Sequence, residues 1–339
     1  MKTYQLHGAK DVRLTEKPDP EPQSDQVVIR VSTMGICGSD LYYYKQGYCG
    51  RFVPKEPFAL GHEFSGIVSA TGSEVSGVEV GDRVTVDPSM PCGTCFQCRQ
   101  GTYNRCTNMK FLGSASCYPH IDGALSVFVV VPAENCFLLP DSVSLEQAAL
   151  LEPLSVAVHA VLQADSVAGA NVLITGGGTI GQLVLRVVQA FGAARTTVSD
   201  VTPFARNFAL ESGASDVIDP LADNPWEGHD GFDVVFEASG AVPALDAALQ
   251  VIARGGTLVQ IGSLPEEVPI SANLIMTKEL TVKGSFRYAH VFEKALNLIA
   301  SGSINLDGII SRTYAYEDVP AAFEDALNKT EGVKIQVSV

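Results

Sequence analysis

The sequence predicts an α/β protein built from two unlike bodies, on three observations. Residues 1 to about 145 run as short apolar stretches cut by turns. From about 146 onward, apolar strand-like runs alternate with helical ones. A glycine turn, Gly176-Gly177-Gly178-Thr179-Ile180-Gly181, joins one such strand to one such helix. At 339 residues the chain is long enough for two cores.

The elements follow in order. VVIRVSTMGIC (27–37), EFSGIVSATG (63–72), VGDRVTV (80–86) and LSVFVVV (125–131) read as strands. Pro18, Pro20, Pro22, Gly61, Gly72, Gly81, Pro88 and Pro91 punctuate their junctions, the pattern of a small barrel or sandwich. Ser144 is the expected N-cap of a helix over 144–164. NVLITG (171–176) is a buried strand, followed by a helix over 180–192, the strand TTVSD (196–200) and a helix ending at Ser212. FDVVFEAS (232–239), a helix near 243–253 and GTLVQIG (256–262) repeat the alternation. Strands this apolar belong to a parallel sheet covered on both faces. The strand-like ELTVKGSF (279–286) then turns back, ahead of helices near 291–302 and 318–328.

Composition narrows the function. The net charge of −15 speaks against partners bound through a phosphate backbone, and against an anionic membrane surface. No apolar run is long enough to span a bilayer, and the first twenty residues predict no secretory signal. A reducing cytoplasm is the expected compartment, where grouped cysteines serve metals more often than disulfides.

The glycine turn matches G-x-G-x-x-G in the context a dinucleotide requires. Gly176 permits the tight turn, Gly178 lets a pyrophosphate approach, and Gly181 lets the helix pack on the strand. Thr179 and Ile180 open the helix whose amides would face the phosphates. Asp200, at the end of the next strand, would accept the ribose hydroxyls and repel a 2′-phosphate, which favours NAD over NADP. Arg206 is the one cation close enough in sequence to argue for a phosphate.

Cys92, Cys95, Cys98 and Cys106 stand as C-x2-C-x2-C-x7-C. Four thiolates can close a tetrahedral zinc shell, so such a site would be structural. An iron–sulfur cluster is disfavoured, because the last gap is too long and no proline follows it. Elsewhere Cys37, His62, Glu63 and Glu152 offer the mixed ligand set of a catalytic zinc, although sequence alone cannot bring them together.

The segments GICGSD (35–40), LGHEFSG (60–66), VGDRV (80–84), the four-cysteine loop, EPLSVAVHA (152–160) and GGGTIG (176–181) carry a resemblance. The chain resembles zinc-dependent medium-chain alcohol dehydrogenases of the sorbitol and polyol dehydrogenase branch over nearly its whole length. FLGSASCYPHIDGALSVF (111–128) and KGSFRY (283–288) are similar to the L-idonate 5-dehydrogenase group of that branch.

The resemblance implies a GroES-like β catalytic domain over 1–145, with a structural-zinc loop over 91–107. It implies a Rossmann doubly wound parallel-sheet domain over 146–280 that binds NAD, and a segment over 281–339 that returns to the catalytic domain. Two zinc ions per chain are implied. Cys37, His62 and Glu63 would hold the catalytic one, and Glu152 would bind it directly or through its water. Ser39, Glu152 and Tyr43 form the implied catalytic group, with Ser39 relaying the substrate's proton. In many relatives the fifth residue after the zinc cysteine is a histidine that passes this proton on; here it is Tyr42. Tyr43, Phe111 and Arg287 fall in the implied substrate pocket.

The expected activity is oxidation of a secondary alcohol on a sugar acid or polyol, L-idonate first and sorbitol or xylitol second. A non-catalytic NAD-binding relative is the alternative from another class. A carboxylate needs a cation, and Arg51, Lys110, His120 and Arg287 are the candidates. A homodimer or homotetramer is expected, through pairing of ELTVKGSF across a two-fold axis.

Overall fold

In the computed structural model, residues 1–229, 231–328 and 331–339 are described. The alternating stretch Gln26–Gly35 is the central strand of a seven-stranded sheet. Along one edge it pairs antiparallel with Glu63–Thr71. Along the other it pairs with Phe128–Pro132 over its first half and with Lys334–Ser338 at its end. Val27, Ile29, Phe64, Val84 and Val129 fill the core beneath, joined by Phe323 and Val337 from the end of the chain.

The second body is a six-stranded, wholly parallel sheet. Its order is Asp216–Ile218, Arg195–Ser199, Asn171–Thr175, Phe232–Glu237, Ile252–Gln260 and Thr281–Gly284. Numbered along the chain this is 3-2-1-4-5-6, the doubly wound order. Both faces are buried, as such apolar strands require. Val172 and Ile174 face one core, while Leu173 between them faces another with Val235 and Leu258. The order reverses between Asn171–Thr175 and Phe232–Glu237, and a crevice opens there beyond the strand ends.

Two expectations need correction, and one helix adds to them. The run 35–44 contains that helix, Gly38–Gln46, although Tyr42 to Tyr44 favour strands. Local capping decides it: Cys37 is the N-cap, Asp40 Oδ2 accepts the Cys37 N–H at 3.0 Å, and Gly47 closes the end at φ 83°. The helix over 144–164 is two helices, Leu145–Ala148 and Leu151–Gln163. Ser144 caps the first as expected, and Pro153 sits in the first turn of the second, where its missing N–H is tolerated. The segment after 280 stays longer in the parallel-sheet body than expected. Thr281–Gly284 is the sixth strand of the parallel sheet, and the helix Phe292–Ala300 packs in that body's core. Only from Ile310 does the chain join the seven-stranded sheet. Among the described residues, no helix is long and apolar enough to cross a membrane.

Candidate active site

Two neighbouring strand ends bring three ligand-type side chains together. Cys37 follows the strand Gln26–Gly35, and Glu63 lies opposite Gly35 in the ladder, with His62 just before it. Their ligand atoms lie within 4.8 Å of one another, so a single cation can reach all three. His62 is 6% exposed, and its Nδ1 has no hydrogen-bond partner among the described residues. Asp40 Oδ1 stands 3.7 Å from it. A buried nitrogen left unpaired costs about 1–3 kcal/mol. Sulfur, nitrogen and carboxylate donors in one buried group fit zinc. Burial first, and the Glu63 charge second, raise the Cys37 thiol well above its ordinary range. A bound cation would reverse that.

Lys334, 2% exposed, pairs with Glu63 from the C-terminal strand. Burial opposes its charge, but Glu63 and Cys37 together raise its pKa, so it remains an ammonium. A carboxylate has two oxygens, so this pairing leaves one for a metal. Gly35 keeps the space: a Cβ there would lie 2.5 Å from a Glu63 oxygen and 2.9 Å from Lys334 Cε.

Glu152, in the first turn of the helix Leu151–Gln163, is buried but not one of the three converging groups. Burial pushes its pKa up to about 7, with His62 opposing. The Phe111 ring meets the His62 ring edge-on at 5.4 Å, and the Arg287 guanidinium lies 4.1 Å from the Phe111 centroid. Tyr43 is 2% exposed, packed against Phe58, and its hydroxyl already accepts the Ala115 N–H at 3.1 Å. It is held as a wall. Among the described residues the half-buried Ser39 has no hydrogen bond from its hydroxyl, and Tyr42 is exposed.

The four loop cysteines converge as well, with Sγ–Sγ separations of 3.5 Å for Cys95–Cys98, 3.9 Å for Cys95–Cys106 and 3.5 Å for Cys92–Cys106. A zinc with bonds of 2.3 Å has tetrahedral edges of about 3.8 Å. None forms a disulfide. Donors on Thr94 and Cys95 bring the Cys92 thiol down to about 5, and the Cys106 sulfur accepts the N–H groups of Cys92 and Asn108.

In the crevice at the strand reversal, Gly176 has φ 92°. A Cβ on Gly181 would lie 1.8 Å from Gly176 O, whereas one on Gly178 would meet nothing within 4 Å. The cavity here is about 520 Å³, lined by Gly176, Gly178, Asp200, Trp226 and Pro243 among others, and among the described residues no cation lines it. Asp200 accepts from Gly177 N at 2.7 Å and from Thr202 N at 2.7 Å. Arg206 is occupied, donating to Asp200 O at 2.7 Å and pairing with Asp219 at 2.8 Å. The Thr179 hydroxyl is turned away from the crevice onto Val333 O at 2.9 Å, and Ile180 packs against the core of the parallel-sheet body.

Residues 23–141 match the alcohol dehydrogenase GroES-like domain, and residues 179–301 match the zinc-binding dehydrogenase family. The chain is 38% identical, over an alignment of 348 positions, to a probable D-xylulose reductase A of Neosartorya fischeri, covering 99% of this chain and 96% of that one. It is 37% identical to the sorbitol dehydrogenase of Bacillus subtilis, covering 99% and 97%. The chain belongs to the zinc-binding alcohol dehydrogenase family. It is an oxidoreductase of the kind that acts on CH–OH groups. The crystal structure of L-idonate 5-dehydrogenase from Escherichia coli superposes on this dehydrogenase with a TM-score of 0.95 at 34% identity, over 100% of this chain and 98% of that one.

Among the described residues, four buried charges of this dehydrogenase carry no role in the sequence analysis: Asp40, Asp87, Glu237 and Lys334. Asp40 had a signal, because an acid three residues after an N-cap completes a capping box. Glu237 accepts N–H groups from Ser239 at 2.9 Å and Gly240 at 3.0 Å, shaping the turn against which Gly176 packs. Lys334 had no signal, since only the sheet pairing carries it to Glu63.

Proposed function

We propose that this protein oxidises a secondary alcohol of a sugar acid or polyol with NAD, an L-idonate-type substrate first and sorbitol- or xylitol-type second. The observation that carries this is the Cys37–His62–Glu63 group, half-buried at Cys37 and buried at the other two, linked through Phe111 to a guanidinium at Arg287. Three ligands leave a coordination position for a hydroxyl, and the arginine suits a substrate with several oxygens. When bound, zinc supplies a Lewis acid that favours the ionised hydroxyl, and the nicotinamide supplies the hydride acceptor.

The chain's own residues do the rest. Asp40 sets a carboxylate 3.7 Å from the His62 ring, and Lys334 holds Glu63. Ser39 Oγ, free of other partners, takes the substrate's hydroxyl proton and passes its own outward. Tyr43 and Phe111 wall the site against water. The four-cysteine loop holds the second, structural zinc. Asp200, with no cation lining the cavity among the described residues, favours NAD over NADP. A second copy of the chain pairs along the edge strand Thr281–Gly284, where Val282 is 47% exposed. The free, grouped cysteines suit a reducing cytoplasm.

The test is NADH formation with L-idonate, D-gluconate, L-galactonate, D-sorbitol and xylitol in parallel. A clear kcat/KM advantage for one acid or polyol is expected, and silence on all of them, with zinc and NAD bound, overturns the substrate class. In the same assay Asp200→Ala should lose about tenfold or more of its preference for NAD over NADP. Unchanged selectivity would refute the role of Asp200.

A further inference from the structure

A cleft of about 380 Å³ lies between the four-cysteine loop and the segment carrying Phe286 and Arg287. Arg51, Arg105 and Arg287 line it, with Asn104, Thr107 and Ser116, and among the described residues no acidic side chain does. In a chain of net charge −15, this is a local excess of cations. Among the described residues, none of the three arginines has a carboxylate within 4 Å, unlike Arg13, Arg206 and Arg312.

The cleft is built rigidly. Asn104 Nδ2 donates to Phe286 O at 2.9 Å, the Tyr103 hydroxyl accepts the His290 N–H at 2.9 Å, and His290 Nε2 meets Gly101 O at 2.7 Å. These bonds clamp the cysteine loop to the segment 286–290 and set Arg105 near Arg287. Arg287 itself has φ 52°, the left-handed region that residues with a Cβ rarely adopt. Two other sequence candidates are not here. Lys110 does not line the cleft, and His120 is spent on Lys55 N and Cys117 O.

Arg287 divides two fields. Glu152 and Asp87 act on it and favour its charge, and through Phe111 it adjoins His62, next to Glu63. Those carboxylates repel an anion. Toward the cleft its charged neighbours among the described lining residues are Arg51 and Arg105. An extended substrate with one anionic end therefore has a single favourable orientation, carbinol inward and anion outward.

We infer that this cleft binds the anionic end of the substrate, a carboxylate or a phosphate monoester on the carbon chain, with Arg51 and Arg105 as specificity-determining residues. This rests on the sugar-acid or polyol reading above, and it selects the anionic members of that class. The reacting carbinol is then remote from the charged carbon. Paired guanidinium contacts suit either oxyanion.

The experiment compares kcat/KM for substrate pairs that differ only in charge: L-idonate against L-iditol, and D-sorbitol 6-phosphate against D-sorbitol. The wild type, Arg51→Gln, Arg105→Gln and the double variant are measured, with zinc content and Tm as controls. The wild type should prefer one anionic member, and that arm identifies carboxylate or phosphate. Each single variant should lower the anion-to-neutral ratio about tenfold through KM, and the double variant should lower it further. Added salt should lower the wild-type ratio as well. A wild type that prefers the neutral partners overturns the cleft and leaves the polyol reading standing. An unchanged ratio in the double variant, with zinc and Tm intact, also overturns it. Should no compound of either pair be oxidised, the polyol reading itself fails. Calorimetric titration of the zinc-loaded NADH complex with L-idonate and D-sorbitol 6-phosphate then reads the cleft alone. Binding that is lost in Arg51→Gln supports the cleft, and no binding, or binding kept, overturns it.

Discussion

Replacing His62 by Ala, or Cys37 by Ser, is expected to cut kcat by at least about a thousandfold. The size follows from the several kcal/mol a Lewis acid contributes to the transition state, at 1.36 kcal/mol per tenfold. Cys37 and His62 come from different strand ends, and their ligand atoms, with that of Glu63, lie within 4.8 Å. Removing one leaves two ligands in a buried pocket, too few to hold the ion against water. Zinc measured by mass spectrometry should fall from two ions per chain to one, because the four-cysteine loop is a separate set. NAD binding, followed by fluorescence, should persist, because the crevice lined by Gly176, Gly178 and Asp200 belongs to the other body. Near-normal turnover in either variant, or two zinc ions retained in both, would show that these side chains are not the catalytic ligands.

Two glycines of one turn should both weaken cofactor binding when each becomes alanine, but only one of them should lower stability. In Gly181→Ala the new methyl would lie 1.8 Å from the Gly176 carbonyl oxygen, so the helix Thr179–Ala190 must move off the strand Asn171–Thr175. Overpacking of this kind costs about 1–3 kcal/mol, and the displaced turn should also lose the cofactor. In Gly178→Ala the methyl meets nothing within 4 Å, and the backbone, at φ −72°, suits alanine. Its Tm should stay at the wild-type value while its Kd for NADH rises about tenfold or more, because only the pyrophosphate competes for that space. Wild-type NADH affinity in Gly178→Ala would contradict the phosphate site. An equal fall in Tm for both variants would contradict the division of roles.

The same residues show how far the sequence was legible. Spacing along the chain exposed the glycine turn, the acid at Asp200 and the four-cysteine loop, because each is a local device whose members fold together. The loop's sulfurs do converge, and the G-x-G-x-x-G turn does join a strand to a helix. The helix Gly38–Gln46 was hidden because three tyrosines carry strand propensity, and a cap outweighed them. The edge strand Thr281–Gly284 was assigned to the wrong body, because a short exposed strand does not announce which sheet it joins.

By itself the sequence determined the α/β class, the two bodies, the nucleotide turn and the chemical types of the ligands. Each of these depends on neighbours within about twenty residues, where periodicity and backbone sterics act. Only the tertiary structure decided that the ligand atoms of Cys37, His62 and Glu63 meet within 4.8 Å, with Glu152 among their electrostatic neighbours. It alone brought Lys334 to Glu63, and Arg51, Arg105 and Arg287 to one cleft. Those contacts link residues far apart in the chain. They form because burying the two cores fixes the sheet registers and the clamp on the cysteine loop, and no local pattern encodes that result.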